Sequence, residues 1–278
     1  EYINKCGIIP GVRFVAIDYS NKAYHLAQIN SYISNRQSIG FPPLFYWSYR
    51  LWQKDAYILA INICKTEKID IIHHMTGINF REPGFLWKLP VPFVWGPTGG
   101  MSSAYPKNFF SIMNPRIRIL ETLRYIADTM RFNFSRRVKS AMAKARLAYV
   151  FTKEDKLFMT RLKNPNVKLM LDVGTNENDT SSSFNTGSDL FRIVWCGQLI
   201  DRKALELLIR AIYFMGTESN NISLTVIGDG YLRNQLQTLA VNLNIKNISW
   251  IAHVSHDNII RHFHKSDVLV HTSYREAT

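Results

Sequence analysis

The chain has 278 residues, 46% of them hydrophobic and 13% aromatic, so it can bury the core of one large domain or two ordinary ones and is not wholly disordered. Its 34 lysines and arginines outnumber 21 acids, and a net charge of +13 favours anionic partners such as phosphorylated substrates or an anionic membrane. Three scattered cysteines argue against a disulfide framework or a zinc site and fit a cytoplasmic protein.

Short apolar runs alternate along the chain with longer segments of helical periodicity. The runs predict strands at 12–18, 69–74, 91–96, 147–152, 167–172, 191–197, 224–230, 248–252 and 267–272. The segments between them predict helices at 44–67, 116–146, 153–163, 203–216, 231–244 and 256–265. Because strands this continuously apolar are covered on both faces, the alternation indicates parallel sheets in an α/β fold.

Residues 174–189, "GTNENDTSSSFNTGSD", are almost devoid of apolar side chains and predict an interdomain linker. We therefore expect two Rossmann-like domains, 1–173 and 190–278, with a ligand cleft between them. Both are expected to be incomplete. The second offers four strands where doubly wound domains carry five or six, and the chain opens at Glu1 without an initial strand and glycine-rich turn.

The stretch "WCGQLIDRKA" (195–204) places Gly197 at a strand end and two cations, Arg202 and Lys203, where a helix is predicted to begin. Ligands of open α/β sheets bind beyond the carboxyl ends of the strands, and a helix N-terminus attracts anions. Two cations at the positive end of a helix are poorly placed unless an anion binds there. The stretch therefore predicts a diphosphate site. The plainer alternative is a pair of solvated surface cations.

A second turn, "GDG" (228–230), also follows a strand and precedes a helix. By itself it is equally consistent with an ordinary turn capped by an aspartate. It lacks the G-x-G-x-x-G spacing, so it does not indicate a nicotinamide dinucleotide.

Three stretches of the second half resemble the donor half of the retaining glycosyltransferases of family 4. They are "FRIVWCGQLIDRKALELLIRAI" (191–212), "LTVIGDGYLRNQLQTLA" (224–240) and "ISWIAHVSHDNIIRHFHKSDVLVHTSYREAT" (248–278). In the first half, "IDIIHHMTGINFREPGFLWKLPVPFVWGPTGGM" (69–101) is similar to a stretch of bacterial members that build cell-surface polysaccharides. The resemblance implies the GT-B fold, with two Rossmann-like domains facing across a cleft. It also implies a hexosyltransferase-type enzyme that moves a sugar from a nucleotide-sugar donor to a glycan or lipid-linked acceptor.

The resemblance assigns the donor to 190–278 and the acceptor to 1–173. The donor-binding residues that it implies are Gly197, Arg202, Lys203, Gly228, Asp229, Gly230 and His253. Among them, Lys203 would hold the diphosphate with Arg202 beside it, and His253 would lie near the base. Glu276 matches the first glutamate of the family's Glu-x7-Glu motif and would face the transferred sugar as the catalytic residue. The second glutamate would fall beyond Thr278.

The sequence departs from the family pattern at three of these places. Gln198 stands where many members carry a second diphosphate-binding arginine, and it supplies a hydrogen bond but no charge. Ala204 and Ala277 stand where glycine usually follows the lysine and the glutamate. We expect a weaker diphosphate site from the first departure and tolerance of the two small alanines.

On the acceptor side, the candidate residues are Arg81, Glu82, Gly99 and Gly100. Gly99 and Gly100 follow a strand and suit either close approach to a ligand or a tight turn. Arg81 and Glu82 could bind an acceptor or pair with each other. The adjacent His73 and His74 end the preceding strand and are expected to point to opposite faces. One of them could face the cleft, and the alternative is a core or surface position.

Residues 116–146 carry nine cations and two acids, a net charge of +7, on a helical apolar pattern. Such a segment can lie on an anionic membrane surface, which would make the protein cytoplasmic and peripheral on the inner face of the membrane. It can equally be a core-packing helix with a basic outer face. No aromatic and basic residues interleave as in nucleic-acid platforms, so no nucleic-acid partner is expected.

We expect no cofactor and no metal, because the cations can stabilise the leaving diphosphate and no pair of carboxylates follows a strand. Two alternatives stay open. One is a GT-B nucleotide-sugar epimerase, which would need acid and base groups in the cleft. The other is an inactive truncated product, and we expect this chain alone to transfer no sugar.

Overall fold

The structure is a computed structural model that describes residues 9–37, 42–75, 79–101, 109–161, 166–170, 190–252 and 254–274. They form two compact units, one drawn from Glu1–Met101 with Arg131–Met170 and the other from Ser102–Met130 with Leu171–Thr278. The described residues 109–130 thus belong to the second unit, whereas the sequence assigned them to the first domain. The predicted linker, 174–189, lies outside the described residues.

Helices and parallel strands alternate along the chain. The helices are α1 (Asn21–Gln37), α2 (Pro42–Thr66), α3 (Pro115–Phe134), α4 (Arg136–Lys144), α5 (Lys153–Thr160), α6 (Leu205–Phe214), α7 (Arg233–Asn242) and α8 (His256–His264). The strands are β1 (Ile72–His74), β2 (Phe93–Thr98), β3 (Ala145–Val150), β4 (Val167–Leu169), β5 (Phe191–Cys196), β6 (Ile222–Ile227), β7 (Ile248–Ile251) and β8 (Val268–Leu269). Short 3-10 helices occupy Leu86–Lys88, Asp201–Lys203 and Gly216–Asn221.

The first unit contains a parallel sheet in the order β1-β2-β3-β4. Its central strands β2 and β3 are largely buried as their apolar sequences predict, with Trp95 at 1% and Ala148 at 0% exposure. Val138 and Met142 of α4 and Met159 of α5 pack into the same core. The predicted strands at 69–74, 91–96, 147–152 and 167–172 each overlap one of these four strands, and those at 91–96 and 147–152 are displaced from β2 and β3 by two residues.

The second unit contains a parallel sheet in the order β7-β6-β5-β8. The chain starts at β5, adds β6 and β7 on one side and then crosses to add β8 on the other. This order has its switch point between β5 and β8, where doubly wound sheets bind ligands at the carboxyl ends of the strands. Leu208, Ile209 and Ile212 of α6 cover the sheet as its apolar pattern predicts.

The strand predicted at 12–18 is wrong. These residues are described but are not part of a strand, and Val12, Phe14 and Val15 are each nearly half exposed. The segment is held instead by an indole hydrogen bond from Trp52 Nε1 to the carbonyl of Ile17, at 3.1 Å. An apolar run becomes a strand only beside a pairing partner, and no strand among the described residues pairs with this one.

Two predicted helix boundaries are also corrected. The continuous helix at 116–146 breaks at Ser135, whose extended backbone ends α3 and whose hydroxyl accepts a 3.3 Å hydrogen bond from the amide of Val138 to cap α4. The helix predicted at 203–216 begins at Leu205, after a 3-10 turn and one left-handed residue, Ala204. Helix α1 was not predicted at all. It packs through fully buried Ala23, whose carbonyl accepts from the Ser48 hydroxyl at 2.7 Å.

Candidate functional site

The turn that carries the two predicted diphosphate cations lies at the switch point of the second sheet. Thr272, just beyond β8, donates its hydroxyl to the carbonyl of Lys203 at 2.8 Å, and it accepts from Trp195 Nε1 at 3.0 Å. The backbone amide of Tyr274 donates to the carbonyl of Arg202 at 3.0 Å. The segment after β8 therefore anchors the backbone of both cationic residues.

Arg202 and Lys203 are partly exposed and precede the N-terminus of α6. Burial raises the pKa of the Cys196 thiol at the end of β5, and the positive charge of Lys203 opposes that rise. The positive charge of Lys203 is therefore felt at the carboxyl end of β5, which is where the sequence predicted a cation that binds a diphosphate. A carboxylate, Glu206, occupies the first turn of α6, as the helix dipole favours.

The glycines of the second turn are required by the packing of the protein's own loops. Gly228 has φ +135°, and a Cβ there would lie 1.9 Å from the carbonyl oxygen of Gly197. A Cβ on Gly230 would lie 2.4 Å from the carbonyl oxygen of Leu199, whose amide in turn donates to the carbonyl of Asp229 at 2.9 Å. The turn thus packs directly on the loop after β5. The predicted approach of a nucleotide to these glycines stays a prediction.

Acidic and phenolic groups surround the cationic turn. The Tyr231 hydroxyl donates to the Asp201 carboxylate, and burial together with this hydrogen bond raises the pKa of Tyr231 to about 12. Burial and the nearby carboxylates of Glu206 and Asp201 also raise the pKa of Tyr274. The ring of Tyr274 lies 5.6 Å from that of Phe109. Both tyrosines therefore remain protonated and neutral near pH 7.

The structure brings together the donor-side candidates Gly197, Arg202, Lys203, Gly228, Asp229 and Gly230. The Asp229 carboxylate accepts from the amide of Gly230 at 2.8 Å and its side chain is 62% exposed. His253 and Glu276 lie outside the described residues, and so does Ala277. Their predicted roles near the base and the transferred sugar stay predictions.

In the first unit, Gly99 and Gly100 lie at the carboxyl end of β2 beside Arg81. Gly99 forms a parallel bridge with Asn79, and a Cβ on Gly100, which has φ +79°, would lie 3.8 Å from Arg81 Nη1. The Arg81 guanidinium lies over the ring of Phe80, 5.5 Å from its centre. Three of the four acceptor-side candidates are therefore neighbours.

Glu82, the fourth candidate, is buried with 2% exposure and holds two guanidinium groups. Arg50 donates to it at 2.8 Å, and Arg137 of α4 forms a second ion pair with its other oxygen. This paired carboxylate ties α2 and α4 to the loop before β2. The sequence left open whether Arg81 and Glu82 bind an acceptor or pair with each other. The ion pairs found for Glu82 are with Arg50 and Arg137 instead.

The two adjacent histidines point to opposite faces, as predicted. His74 is buried at 3% exposure, and burial, with a smaller contribution from His73, lowers its pKa to about 4. His73 is exposed, and its Nε2 lies 2.7 Å from the carbonyl oxygen of Gly96. His74 is therefore a neutral core residue near pH 7.

The sequence analysis did not identify several residues of the donor-side and acceptor-side sites. They are Thr272, Tyr274, Tyr231 and Asp201 in the second unit, and Tyr46, Asn79 and Arg131 in the first. Thr272 and Tyr274 come directly after a predicted strand, so their position at a carboxyl end was a signal in principle. Tyr46 and Arg131 lie on helices distant in sequence from Arg81, and no periodicity or spacing links them.

Comparison with known proteins supports the fold at low sequence identity. The model of the family described as "Glycosyl transferases group 1" matches residues 176–278. A search among curated proteins finds no match. Among solved structures, the chain is similar to the apo form of the lipopolysaccharide outer core galactosyltransferase WaaB, with 11% identity and a TM-score of 0.54 over 80% of this chain and 55% of that one.

Two further solved structures are similar at the same level. One is Alr3699/HepE of Anabaena in complex with UDP-glucose, with 14% identity and a TM-score of 0.51 over 78% of this chain and 56% of that one. The other is the apo structure of OtsA, with 12% identity and a TM-score of 0.53 over 93% of this chain and 64% of that one. The chain thus spans little more than half to about two thirds of these proteins. They confirm the α/β fold of the GT-B kind.

Proposed function

We propose that the chain is part of a retaining, hexosyltransferase-type glycosyltransferase that moves a sugar from a nucleotide-sugar donor to a glycan or lipid-linked acceptor in surface-polysaccharide synthesis. The observation that carries this proposal is the anchoring of Arg202 and Lys203 at the switch point of a β7-β6-β5-β8 sheet. The family match over 176–278 and the GT-B relatives support it. HepE, which is similar in fold, was solved with UDP-glucose.

The chemistry depends on where charge develops. As the glycosidic C–O bond of the donor breaks, negative charge builds on the nucleoside diphosphate. Lys203 and Arg202 would stabilise that charge together with the N-terminus of α6. Glu276 would face the transferred sugar. With two cations and a helix N-terminus on the leaving group, the proposed mechanism requires no metal.

Replacing the lysine tests the donor site. We expect Lys203→Ala, in the longest natural protein that contains this chain, to weaken binding of nucleoside diphosphates and to slow transfer 100-fold or more, since one preorganised charge contact contributes about 2.7–4 kcal/mol to the barrier. Lys246→Ala is the matched control, because Lys246 is an exposed lysine of the same unit. Calorimetry with UDP, GDP and ADP, together with a transfer assay, measures both effects.

Two outcomes would contradict the assignment. One is normal turnover of Lys203→Ala at saturating donor, and the other is an equal loss in Lys246→Ala. Interconversion of the free donor sugar without transfer to any acceptor would favour the epimerase alternative.

A membrane is the second proposed partner, and α3 is the element that favours it. Five of its side chains, Ile119, Leu123, Ile126, Met130 and Phe134, share one helical face and are all at least 44% exposed. We call them the α3 stripe. It runs about 22 Å along the helix, and Arg116 and Arg118 near its start are also exposed. An apolar stripe with basic neighbours suits the surface of an anionic bilayer.

This surface is narrower than the whole segment 116–146. Val138, Met142 and Ala145 are buried in the first core, and Arg124 and Arg137 form ion pairs within the protein. Among the described residues, no helix combines the length and the apolar character needed to cross a bilayer. The proposal is therefore peripheral attachment through α3 at the cytoplasmic face.

A further inference from the structure

Two arginines from distant parts of the chain converge on one tyrosine in the first unit. Arg81 Nη1 donates to the hydroxyl of Tyr46 at 3.4 Å. The guanidinium carbon of Arg131, in the last turn of α3, lies 5.1 Å from the centre of the Tyr46 ring. All three residues are partly exposed.

Asn79 completes the arrangement and fixes it to the sheet. Its side-chain Nδ2 donates to the Tyr46 hydroxyl at 3.2 Å, and its side-chain Oδ1 accepts from the backbone amide of Arg81 at 3.0 Å. Its backbone pairs with Gly99 at the carboxyl end of β2. The Tyr46 oxygen accepts from two donors, and the hydroxyl can itself donate one hydrogen bond. We call Tyr46, Asn79, Arg81 and Arg131 the tyrosine cluster.

Gly100 keeps the space next to the cluster free of a side chain. Its φ of +79° is in the left-handed region, and the place of its missing Cβ is 3.8 Å from Arg81 Nη1. The carboxylate next in sequence, Glu82, is buried between Arg50 and Arg137. The carboxylate of this loop therefore forms structural ion pairs. The hydrogen-bond donors at the strand end are the cationic side chain of Arg81 and the neutral side chain of Asn79.

We infer that the tyrosine cluster binds a phosphate group on the acceptor substrate. Two guanidinium groups supply fork-shaped, charge-assisted donors for such a group, and Tyr46 supplies a neutral one. The inference rests on the proposed glycosyl transfer and adds to it the chemical class of the acceptor. The phosphate source is either a soluble phosphorylated glycan or the phosphate of a lipid-linked one.

Titration with glycerol phosphate tests the cluster directly. The protein is saturated with UDP, so that phosphate binding at the donor turn is blocked, and binding is measured by calorimetry. We expect Arg81→Gln with Arg131→Gln to weaken glycerol phosphate binding at least tenfold. Arg136→Gln with Arg146→Gln is the control, since both are exposed arginines of the same unit. UDP affinity should be unchanged in both double variants.

A charge-preserving pair separates binding from folding. Arg81→Lys with Arg131→Lys keeps both charges but loses the fork-shaped donors, and it is expected to bind glycerol phosphate more tightly than the double glutamine variant and less tightly than the wild-type protein. Vesicles containing phosphatidic acid give the second arm. Cluster-dependent binding to vesicles alone identifies a lipid phosphate, and binding of glycerol phosphate identifies a soluble one.

The inference is overturned if Arg81→Gln with Arg131→Gln leaves the binding of both probes unchanged, if the wild-type protein binds neither probe, or if both double glutamine variants lose binding equally. Its failure is distinguishable from failure of the proposed donor site. Lys203→Ala affects UDP binding in the second unit, whereas the cluster variants affect phosphate binding in the first.

Discussion

Ala204 occupies a backbone conformation that glycine adopts more readily than alanine. It adopts φ 49° and ψ 40° between the 3-10 turn and α6, and it is 5% exposed. A left-handed conformation costs a residue with a Cβ about 1–2 kcal/mol. The turn keeps this shape because its backbone is hydrogen-bonded within itself and to Thr272. The sequence identified the departure from glycine but not the backbone angle behind it.

Two alanine-to-glycine substitutions in α6 and its cap should therefore differ in effect. We expect Ala204→Gly to leave the free energy of unfolding unchanged or to raise it by up to about 1 kcal/mol, because relief of the left-handed strain offsets the added chain entropy and the lost methyl group. Ala211→Gly, at an exposed position inside α6, should lower it by about 1 kcal/mol.

Urea unfolding monitored by circular dichroism measures both changes. Equal destabilisation by the two substitutions would show that the backbone at Ala204 is not strained.

At the scale of elements, strand β8 matters mainly because it positions the segment after it. The strand itself has two residues, pinned at its start by the ion pair of Arg192 with Asp267, whose pKa that pair lowers to about 2. Beyond it, Thr272 links buried Trp195 to the carbonyl of Lys203. A single hydroxyl thus connects the core to the candidate donor turn.

Removing that hydroxyl should loosen the turn. We expect Thr272→Val to weaken nucleoside diphosphate binding and to lower the free energy of unfolding by about 1–3 kcal/mol, since the buried indole N–H loses its acceptor. Thr272→Ser keeps the hydroxyl and should restore affinity. A purely structural role would lower the stability of Thr272→Val while its folded fraction bound UDP with normal affinity, and calorimetry below the unfolding transition distinguishes the two.

The sequence predicts an element well when the residues of that element alone determine its structure, and poorly when distant residues are needed. Strands such as β5 and β6 are continuously apolar and were predicted within two or three residues. The run at 12–18 is similarly apolar but lacks a partner strand among the described residues. Its apolar pattern alone therefore gave a wrong strand prediction. The break at Ser135 is set by one cap in a segment whose helical period continues on both sides. The tyrosine cluster depends on tertiary packing and could not be predicted.

At the scale of the whole molecule, some basic residues are paired with acids inside the protein and others are exposed to solvent. Several arginines, including Arg50, Arg124 and Arg137, form ion pairs with acids inside the protein. The count of 34 lysines and arginines therefore overstates the number of cations available to partners, although the net charge of +13 is unchanged by this pairing. What remains for a membrane is the α3 stripe and the exposed arginines near it, which makes apolar contact as important as charge.

Membrane attachment through the α3 stripe can be tested by placing acids on it. We expect Ile126→Asp with Met130→Asp to reduce binding to vesicles rich in anionic lipid at least tenfold. Each change removes apolar surface that the bilayer would bury and adds a negative charge that the anionic lipid repels. Phe214→Asp with Val241→Asp is the matched control, since these apolar side chains are 81% and 76% exposed elsewhere in the second unit. Vesicle sedimentation measures both. Binding of the wild-type protein should weaken with salt, as screening over about 8–10 Å predicts. Equal loss in both double variants, or no binding of the wild-type protein to anionic vesicles, would remove the membrane from the proposed partners.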